Sequence, residues 1–333
     1  MNSNKANRIF TSNKDLRIVF MGTPEIAVAS LEAIHQKGYT IAGVITAPDK
    51  PAGRGRKIQY SPVKQFALQH NLLLLQPPNL KDPGFLQQLK DLDPHLQVVV
   101  AFRMLPESVW ALPPMGTFNL HASLLPQYRG AAPINWVVIN GETKTGVTTF
   151  FLDKEIDTGK IIAYREASVS PDDTAGSLHD RLMHIGAELV TDTIEMIASG
   201  NVETIDQPEL IREDQPLKKA PKIFKEDCRI DWSRDAEAIC NLIRGLNPVP
   251  GAFTELQTGD AEPFFMKVWE AEPLEQSHSY PTGSFFTDNA SYIRISCKNG
   301  FVNVKMMQAA GKKRMKTPDF LRGYTFSAPK RFN

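Results

Sequence analysis

Between Leu16 and Ala101 the chain repeats one unit, a short β-rich run followed by a helical stretch, and this rhythm restricts the fold more than any other feature of its 333 residues. Leu16 to Met21 (LRIVFM) reads as a strand, and Gly22-Thr23-Pro24 follows, with Thr23 placed to cap a helix and Pro24 in its first turn. Ile41 to Thr46 is the next strand, Ser61-Pro62 opens a helix, and Leu72 to Leu75 is again extended. A helix near Phe85 to Leu92 and a buried strand from Leu96 to Ala101 complete the series. Alternation of this kind predicts an α/β fold, a Rossmann-like and mostly parallel sheet with helices on both faces.

After Thr117 to His121 the rhythm changes. A loop and a helix around Ala132 to Ile139 precede two closely spaced β-rich runs, Val147 to Phe151 and Lys160 to Tyr164, which fit an antiparallel edge. A long helical pattern, Ala175 to Ile197, closes a first domain of residues 16–205, and residues 206–222, rich in proline and charge, read as a linker. From 223 to 333 a helix near Asp235 to Leu246 precedes short β-rich runs separated by turn residues, the pattern of a small OB-like β-barrel.

Composition narrows the class. With 42% hydrophobic and 23% charged residues the chain is an ordinary globular protein, and no stretch reaches the ~18 apolar residues of a membrane span. Residues 1–15 are polar and basic without the apolar run of a secretion signal, so a disordered extension and a cytoplasmic location are expected. Cys228, Cys240 and Cys297 have neither zinc-site spacing nor an even count and are expected to be free thiols. The net charge of +1 hides an asymmetry: from Arg294 onward ten Lys or Arg face the single acid Asp319, a net of +9, which leaves −8 on the rest. Such a basic end favours a polyanion through counterion release, nucleic acid before membrane.

The densest set of chemically useful residues is Phe118-Asn119-Leu120-His121-Ala122-Ser123-Leu124-Leu125-Pro126-Gln127-Tyr128-Arg129-Gly130-Ala131-Ala132-Pro133. Asn119 and His121, two apart on a strand, share one face near its carboxyl end, where open α/β sheets bind ligands. An amide can donate to an oxyanion developing on a carbonyl, and an imidazole can donate or move a proton. Asp157, in a turn between two β-rich runs, is a candidate to return to the same strand ends and to favour imidazolium at His121.

With these residues in view, the chain from about Arg17 onward resembles the folate-dependent formyltransferases, in particular members that act on a charged tRNA. Asn119-x-His121 with an Asp 36 residues beyond the histidine is similar to the family's catalytic trio. Ser123-Leu124-Leu125-Pro126, followed by Arg129-Gly130-Ala131-Ala132-Pro133-Ile134, resembles its folate-contacting loop. Met21-Gly22-Thr23-Pro24 and Pro48-Asp49-Lys50-Pro51-Ala52-Gly53-Arg54-Gly55-Arg56-Lys57 extend the match.

The resemblance implies transfer of a formyl group from 10-formyltetrahydrofolate to the α-amine of methionine on initiator tRNA. It implies Asn119, His121 and Asp157 as catalytic residues, and Ser123, Leu124, Leu125 and Pro126 as folate contacts. The wall from Val99 to Leu105, with Phe102 and Leu105, is expected to help hold the folate. The stretch from Pro48 to Lys64 carries five basic residues against one acid; Arg54, Arg56 and Lys57 are expected at the acceptor stem, and Lys312, Lys313, Arg314 and Lys316 on tRNA phosphates. A monomer without metal or membrane partner is expected. The alternative acceptor is a small amine nucleotide, such as glycinamide ribonucleotide or an amino sugar nucleotide, which would leave both basic regions without a purpose. A binding protein without turnover would predict loss of one of the trio, and all three are present. A nicotinamide-binding domain is disfavoured because Gly22-Thr23-Pro24-Glu25 lacks the G-x-G-x-x-G needed for close pyrophosphate approach. His179 and His184 lie five apart, off the spacing of a metal pair on one helix face, and Trp110, Trp136, Trp232 and Trp269 are read as core residues, with Trp136 near enough to the loop to line a pocket.

Overall fold

The β-rich runs of the first half pair in the parallel fashion that their helical spacers require. A computed structural model of the chain describes residues 12–52, 57–200, 202–212, 214, 216–256 and 263–326. In chain order these contain β1 (Arg17–Gly22), α1 (Glu25–Gln36), β2 (Thr40–Ile45), β3 (Lys50–Ala52), β4 (Lys57–Gln59), α2 (Pro62–Gln69), β5 (Leu74–Leu75), α3 (Pro83–Asp91), β6 (Leu96–Val100), α4 (Glu107–Trp110) and β7 (Thr117–His121). They continue with β8 (Arg129–Gly130), α5 (Pro133–Ile139), β9 (Lys144–Phe151), β10 (Ile161–Ser168) and α6 (Ala175–Ala198). The sheet order is β10-β9-β7-β6-β1-β2-β5. Pairs among β5, β2, β1, β6 and β7 are parallel, whereas β9 runs antiparallel to both β7 and β10 and makes the expected antiparallel edge.

Burial explains why β1 and β6 lie centrally. Every residue of β6 is buried, as is β1 after Arg17, which only a strand covered on both faces allows. On one face Val19, Met21, Ile45 and Val99 pack with Phe85 and Leu89 of α3, and with Leu105 and Val109. Each such side chain contributes about 1.5–3 kcal/mol when taken out of water.

The starts of α2 and α3 follow standard capping signals, and α1 departs from the one expected. Ser61 accepts from the Lys64 amide and Asp82 from that of Phe85, capping α2 and α3. At α1 the cap position is Pro24 and not Thr23: Pro24 is extended at ψ 179°, so the first helical turn begins one residue later, and no side chain caps it. Residues Asn13–Asp15 form a 3-10 turn in which Ser12 accepts from the Lys14 amide, so structure begins before the expected end of the N-terminal extension; residues 1–11 lie outside the described residues. Among the described residues no helix is long and apolar enough to cross a membrane.

Two compact units divide the chain: Met1–Gly130, Lys144–Ser168 and His179–Lys219 in one, and Ala131–Thr143, Val169–Leu178 and Ala220–Asn333 in the other. The stretch read as a linker holds a 3-10 turn, Gln207–Leu210, and a short strand β11 (Lys219–Ala220). The second unit continues with α7 (Ala236–Gly245), β12 (Ala252–Leu256), β13 (Phe264–Glu275), β14 (Phe285–Thr287), β15 (Ile293–Cys297), β16 (Gly300–Ala309), β17 (Met315–Lys316) and α8 (Thr317–Arg322). Its strands form a curled antiparallel sheet in the order β12-β13-β16-β15-β14, with β17 on β16. The enclosed core includes Ile239, Ile243, Met266, Val268, Ile295, Val302 and Val304. Ile139 of α5 joins it, and the Asn135 side-chain amide donates to Gly245 O at 2.7 Å, tying α5 to α7.

Candidate active site

Strand period puts Asn119 and His121 on one face of β7, in register with Phe150 and Thr148 of β9. His121 is buried, with 7% of its side chain exposed, and its Nε2 lies 2.9 Å from Tyr128 O. A carbonyl only accepts, so Nε2 carries the hydrogen and Nδ1 is left to work on a proton. Asp157 lies on that side. Its Oδ2 is 3.9 Å from His121 Nδ1 and accepts from the Gly130 amide at 3.0 Å. At 3.9 Å there is no direct hydrogen bond, but a carboxylate so placed attracts an imidazolium, and one water can bridge the two acceptors.

Asp157 holds φ +56°, a left-handed conformation that aspartate tolerates better than most residues. Close packing fixes its turn: a Cβ on Gly159 would stand 1.7 Å from Phe151 O. Asn119 is half-buried, and its side chain has no hydrogen-bond partner among the described residues. An amide held at the strand end with its donors uncommitted can meet an oxygen that gains charge during a reaction.

The loop after β7 is pinned from below. Thr148 Oγ1 donates to Ser123 O at 2.7 Å and accepts from the Leu125 amide at 3.2 Å. The Ser123 hydroxyl donates to Gln127 O at 2.6 Å and is fully buried, Leu125 and Pro126 are buried, and Leu124 is half-buried. Leu105 belongs to the core under the sheet, while Phe102 packs at its edge with the Arg103 guanidinium 5.4 Å from its ring centroid. Arg103 is held by Pro77 and Pro78 carbonyls, and burial pushes its guanidinium below the ordinary arginine value.

Trp136, read from the sequence as a core residue, lies in the second unit. It packs against the core of the second unit and donates its indole N–H to Pro221 O at 2.8 Å. Arg54 and Arg56 lie outside the described residues, and Lys57 opens β4, which pairs with β3 as a hairpin. Lys312, Lys313 and Arg314 on the β16–β17 turn and Lys316 at the end of β17 are exposed. Arg314 stacks on Trp269 at 3.7 Å and its Nη2 reaches Asn247 Oδ1 at 3.5 Å; the three lysines form no ion pair among the described residues.

Residues that sequence reasoning passed over hold the site together. Tyr128, at φ +60°, supplies the carbonyl for His121, and its own amide donates to Lys218 O at 2.7 Å. Thr148 was visible only as one position of a β-rich run.

An uncommitted amide and an imidazole of fixed tautomer at the carboxyl end of β7, with a carboxylate from the β9–β10 turn beside them, are chemically suited to assist attack on a carbonyl carbon. Residues 16–194 match the family described as formyl transferase, and residues 222–325 match the formyl transferase C-terminal domain. The chain belongs to the formyl transferase family. It is 53% identical over 311 residues to methionyl-tRNA formyltransferase of Bacteroides fragilis, covering 93% of this chain and 96% of that one. To the methionyl-tRNA formyltransferase of Flavobacterium johnsoniae it is 54% identical over 312 residues, covering 94% and 97%.

Solved structures at lower identity share the fold. HypX from Aquifex aeolicus, in complex with tetrahydrofolic acid, matches with a TM-score of 0.62 at 18% identity; the match covers 95% of this chain and 48% of that one, so the chain spans about half its length. WlaRD, a sugar 3N-formyl transferase solved in the presence of dTDP and 5-N-formyl-THF, matches with a TM-score of 0.62 at 21% identity, covering 90% and 99%.

Proposed function

We propose that the protein transfers the formyl group of 10-formyltetrahydrofolate to the α-amino group of methionyl initiator tRNA, giving N-formylmethionyl-tRNA for translation initiation. The observation that carries this reading is the near full-length similarity to methionyl-tRNA formyltransferases at 53% identity, together with the intact Asn119, His121 and Asp157 arrangement. The β16–β17 hairpin supports a polyanionic acceptor, because Lys312, Lys313 and Lys316 leave their charge to solvent. The enzyme acts in the cytoplasm as a monomer and needs no metal.

The amine attacks the formyl carbon directly and forms a tetrahedral oxyanion, so no covalent enzyme intermediate is needed. A free α-amine with a pKa of about 7.7–8.0 is already partly neutral near pH 7. Asn119 donates to the oxyanion. His121, its Nε2–H held by Tyr128 O, takes the amine proton at Nδ1, and Asp157 stabilises the resulting imidazolium directly or through a bridging water. Collapse of the intermediate expels the folate N10, which takes up a proton. The loop from Ser123 to Pro126, with Phe102 and Leu105, forms the wall against which the donor lies; Arg54, Arg56 and Lys57 meet the acceptor stem.

Formyl transfer to methionine-charged initiator tRNA, run beside an amino sugar nucleotide, tests the reading. Turnover on the tRNA alone supports it; turnover on the nucleotide alone would assign the site to a small acceptor.

A further inference from the structure

We infer that Gln207 is a positioning residue, a buried amide that sets the Asp157 turn for proton transfer; the inference rests on the reading of Asp157 as a catalytic residue. Gln207 is 1% exposed although it lies in a stretch rich in proline and charge. Its Nε2 donates to Asp157 O at 2.9 Å and to Gly159 O at 2.8 Å. Its Oε1 accepts from Arg129 Nε at 2.9 Å and Nη2 at 2.5 Å. Carbonyls can only accept and a guanidinium can only donate, so one orientation of the amide satisfies all four contacts and the flipped one satisfies none.

The contacts close a ring around the turn. Arg129 immediately precedes Gly130, whose amide donates to Asp157 Oδ2. Gln207 thus grips the turn by its backbone on one side and, through Arg129, the segment that grips the same aspartate by its carboxylate on the other. Just upstream, Ile161 and Ile205 exchange both backbone hydrogen bonds at 2.9 Å, so the segment carrying Gln207 is itself anchored beside the turn. Burial pushes the Arg129 guanidinium below the ordinary arginine value, although Asp157 and Glu155 pull the other way. A buried amide with every hydrogen-bonding site used is costly to disturb, because each lost partner leaves a group unsatisfied.

An exposed ion pair, Lys160 with Asp206 at 3.2 Å, adds little to this hold. Nor does turn chemistry alone keep Asp157 left-handed, since an aspartate at φ +56° has ready access to other conformations. The two donors of Gln207 add a restraint to the close packing at Gly159 and the Gly130 amide. Without them the carboxylate keeps its charge but loses its fixed distance from His121, and an error of about 1 Å in such a distance can cost about 10²-fold in rate.

The test uses the full chain with Gln207→Leu, which removes all four contacts, and Gln207→Glu, which keeps the acceptor for Arg129 and removes both donors. Wild-type turnover on charged initiator tRNA is measured first; its absence would sink the functional reading and leave the clamp to be judged by hydrogen exchange. Both variants are expected to lower kcat by about 10²-fold with KM for donor and acceptor within about twofold. Asp157→Asn combined with Gln207→Leu should be no slower than Asp157→Asn alone, because the glutamine acts through the aspartate. Independently of activity, amide exchange at Gly130 should speed up in Gln207→Leu while the β6 amides stay protected. Wild-type kcat in Gln207→Glu, additive losses in the double variant, or unchanged Gly130 exchange would each overturn the assignment. If Gln207→Leu fails to fold, Gln207→Glu carries the same measurements.

Discussion

Lys64 Nζ lies 2.5 Å from Asp49 Oδ2, 3.0 Å from Gln76 Oε1 and 3.9 Å from the Tyr60 ring centroid, with the lysine almost wholly buried. Gln76 Nε2 in turn donates to Asp49 Oδ1 and Ala47 O, each at 2.9 Å. The two ends of the basic stretch are therefore latched to each other, and one of its five positive charges is spent inside the protein.

Replacing Lys64 with Met leaves Asp49 facing Gln76 alone and frees the base of the loop. If the loop meets the acceptor stem, KM for charged tRNA rises several-fold while kcat changes little, as steady-state kinetics would show. The hydrogen bond from Gln76, then that from Lys64, holds the Asp49 carboxyl below the usual carboxylate range. A depressed carboxyl contributes stability that is present above its unfolded value of about 4 and is lost as pH falls through the lower folded value. The difference in urea midpoint between wild type and Asp49→Asn should accordingly shrink below about pH 4.

His121→Ala and Asn119→Ala should each lower kcat by about 10²- to 10⁴-fold with the thermal midpoint near that of wild type. Asn119 has no side-chain partner to lose among the described residues, so its stability cost is the smaller. Circular dichroism melts beside single-turnover rates check both.

Gly159→Ala tests whether the Asp157 turn tolerates any displacement. The added methyl would sit 1.7 Å from Phe151 O, a backbone atom that can yield only by moving β9. Overpacking of this kind costs about 1–3 kcal/mol, and activity should fall further than stability. Gly38→Ala meets open space at φ +75° and separates backbone strain from the clash.

Burial pushes the Cys240 thiol up to about 12, the largest cause, with nearby Cys297 and acids adding to it. Its stability contribution is full below the unfolded thiol value and is lost as pH rises from about 9 towards 12, because the unfolded chain ionises first. Iodoacetamide at pH 8 should leave Cys240 unmodified in native protein and label it once the protein is unfolded; mass spectrometry of the peptide decides.

Lys312→Ala should reduce the salt slope of tRNA binding by about one, the signature of a lost phosphate contact. Arg314→Ala carries a second effect, since its guanidinium covers the face of Trp269. It should also change tryptophan fluorescence in the absence of tRNA, which Lys312→Ala should not do.

The parallel sheet was readable because β1, β2, β5 and β6 are separated in turn by α1, α2 and α3, and the caps at Ser61 and Asp82 use standard chemistry. Asn119 and His121 were readable as a pair because strand period alone aligns them. Asp157 was readable from its turn position only as a candidate, and the family resemblance singled it out: Asp-Thr-Gly in a turn carries no local sign of a histidine 36 residues earlier. Gln207 was not readable at all, because its four partners come from two distant segments and its neighbours look like linker. Thr23 misled for a local reason, since an extended Pro24 takes the cap position itself.

Tyr128 and Gly130 lie two residues apart, and each holds one member of the proposed proton-handling pair by a backbone group: a carbonyl for His121, an amide for Asp157. Main-chain atoms are common to nearly all residue types, so the gap between imidazole and carboxylate is inherited through chain geometry and not through the identity of neighbouring side chains. Acceptor preference can then drift by substitution around the rim while the chemistry beneath it stays in tune, provided that position 130 keeps a residue able to hold φ +127°.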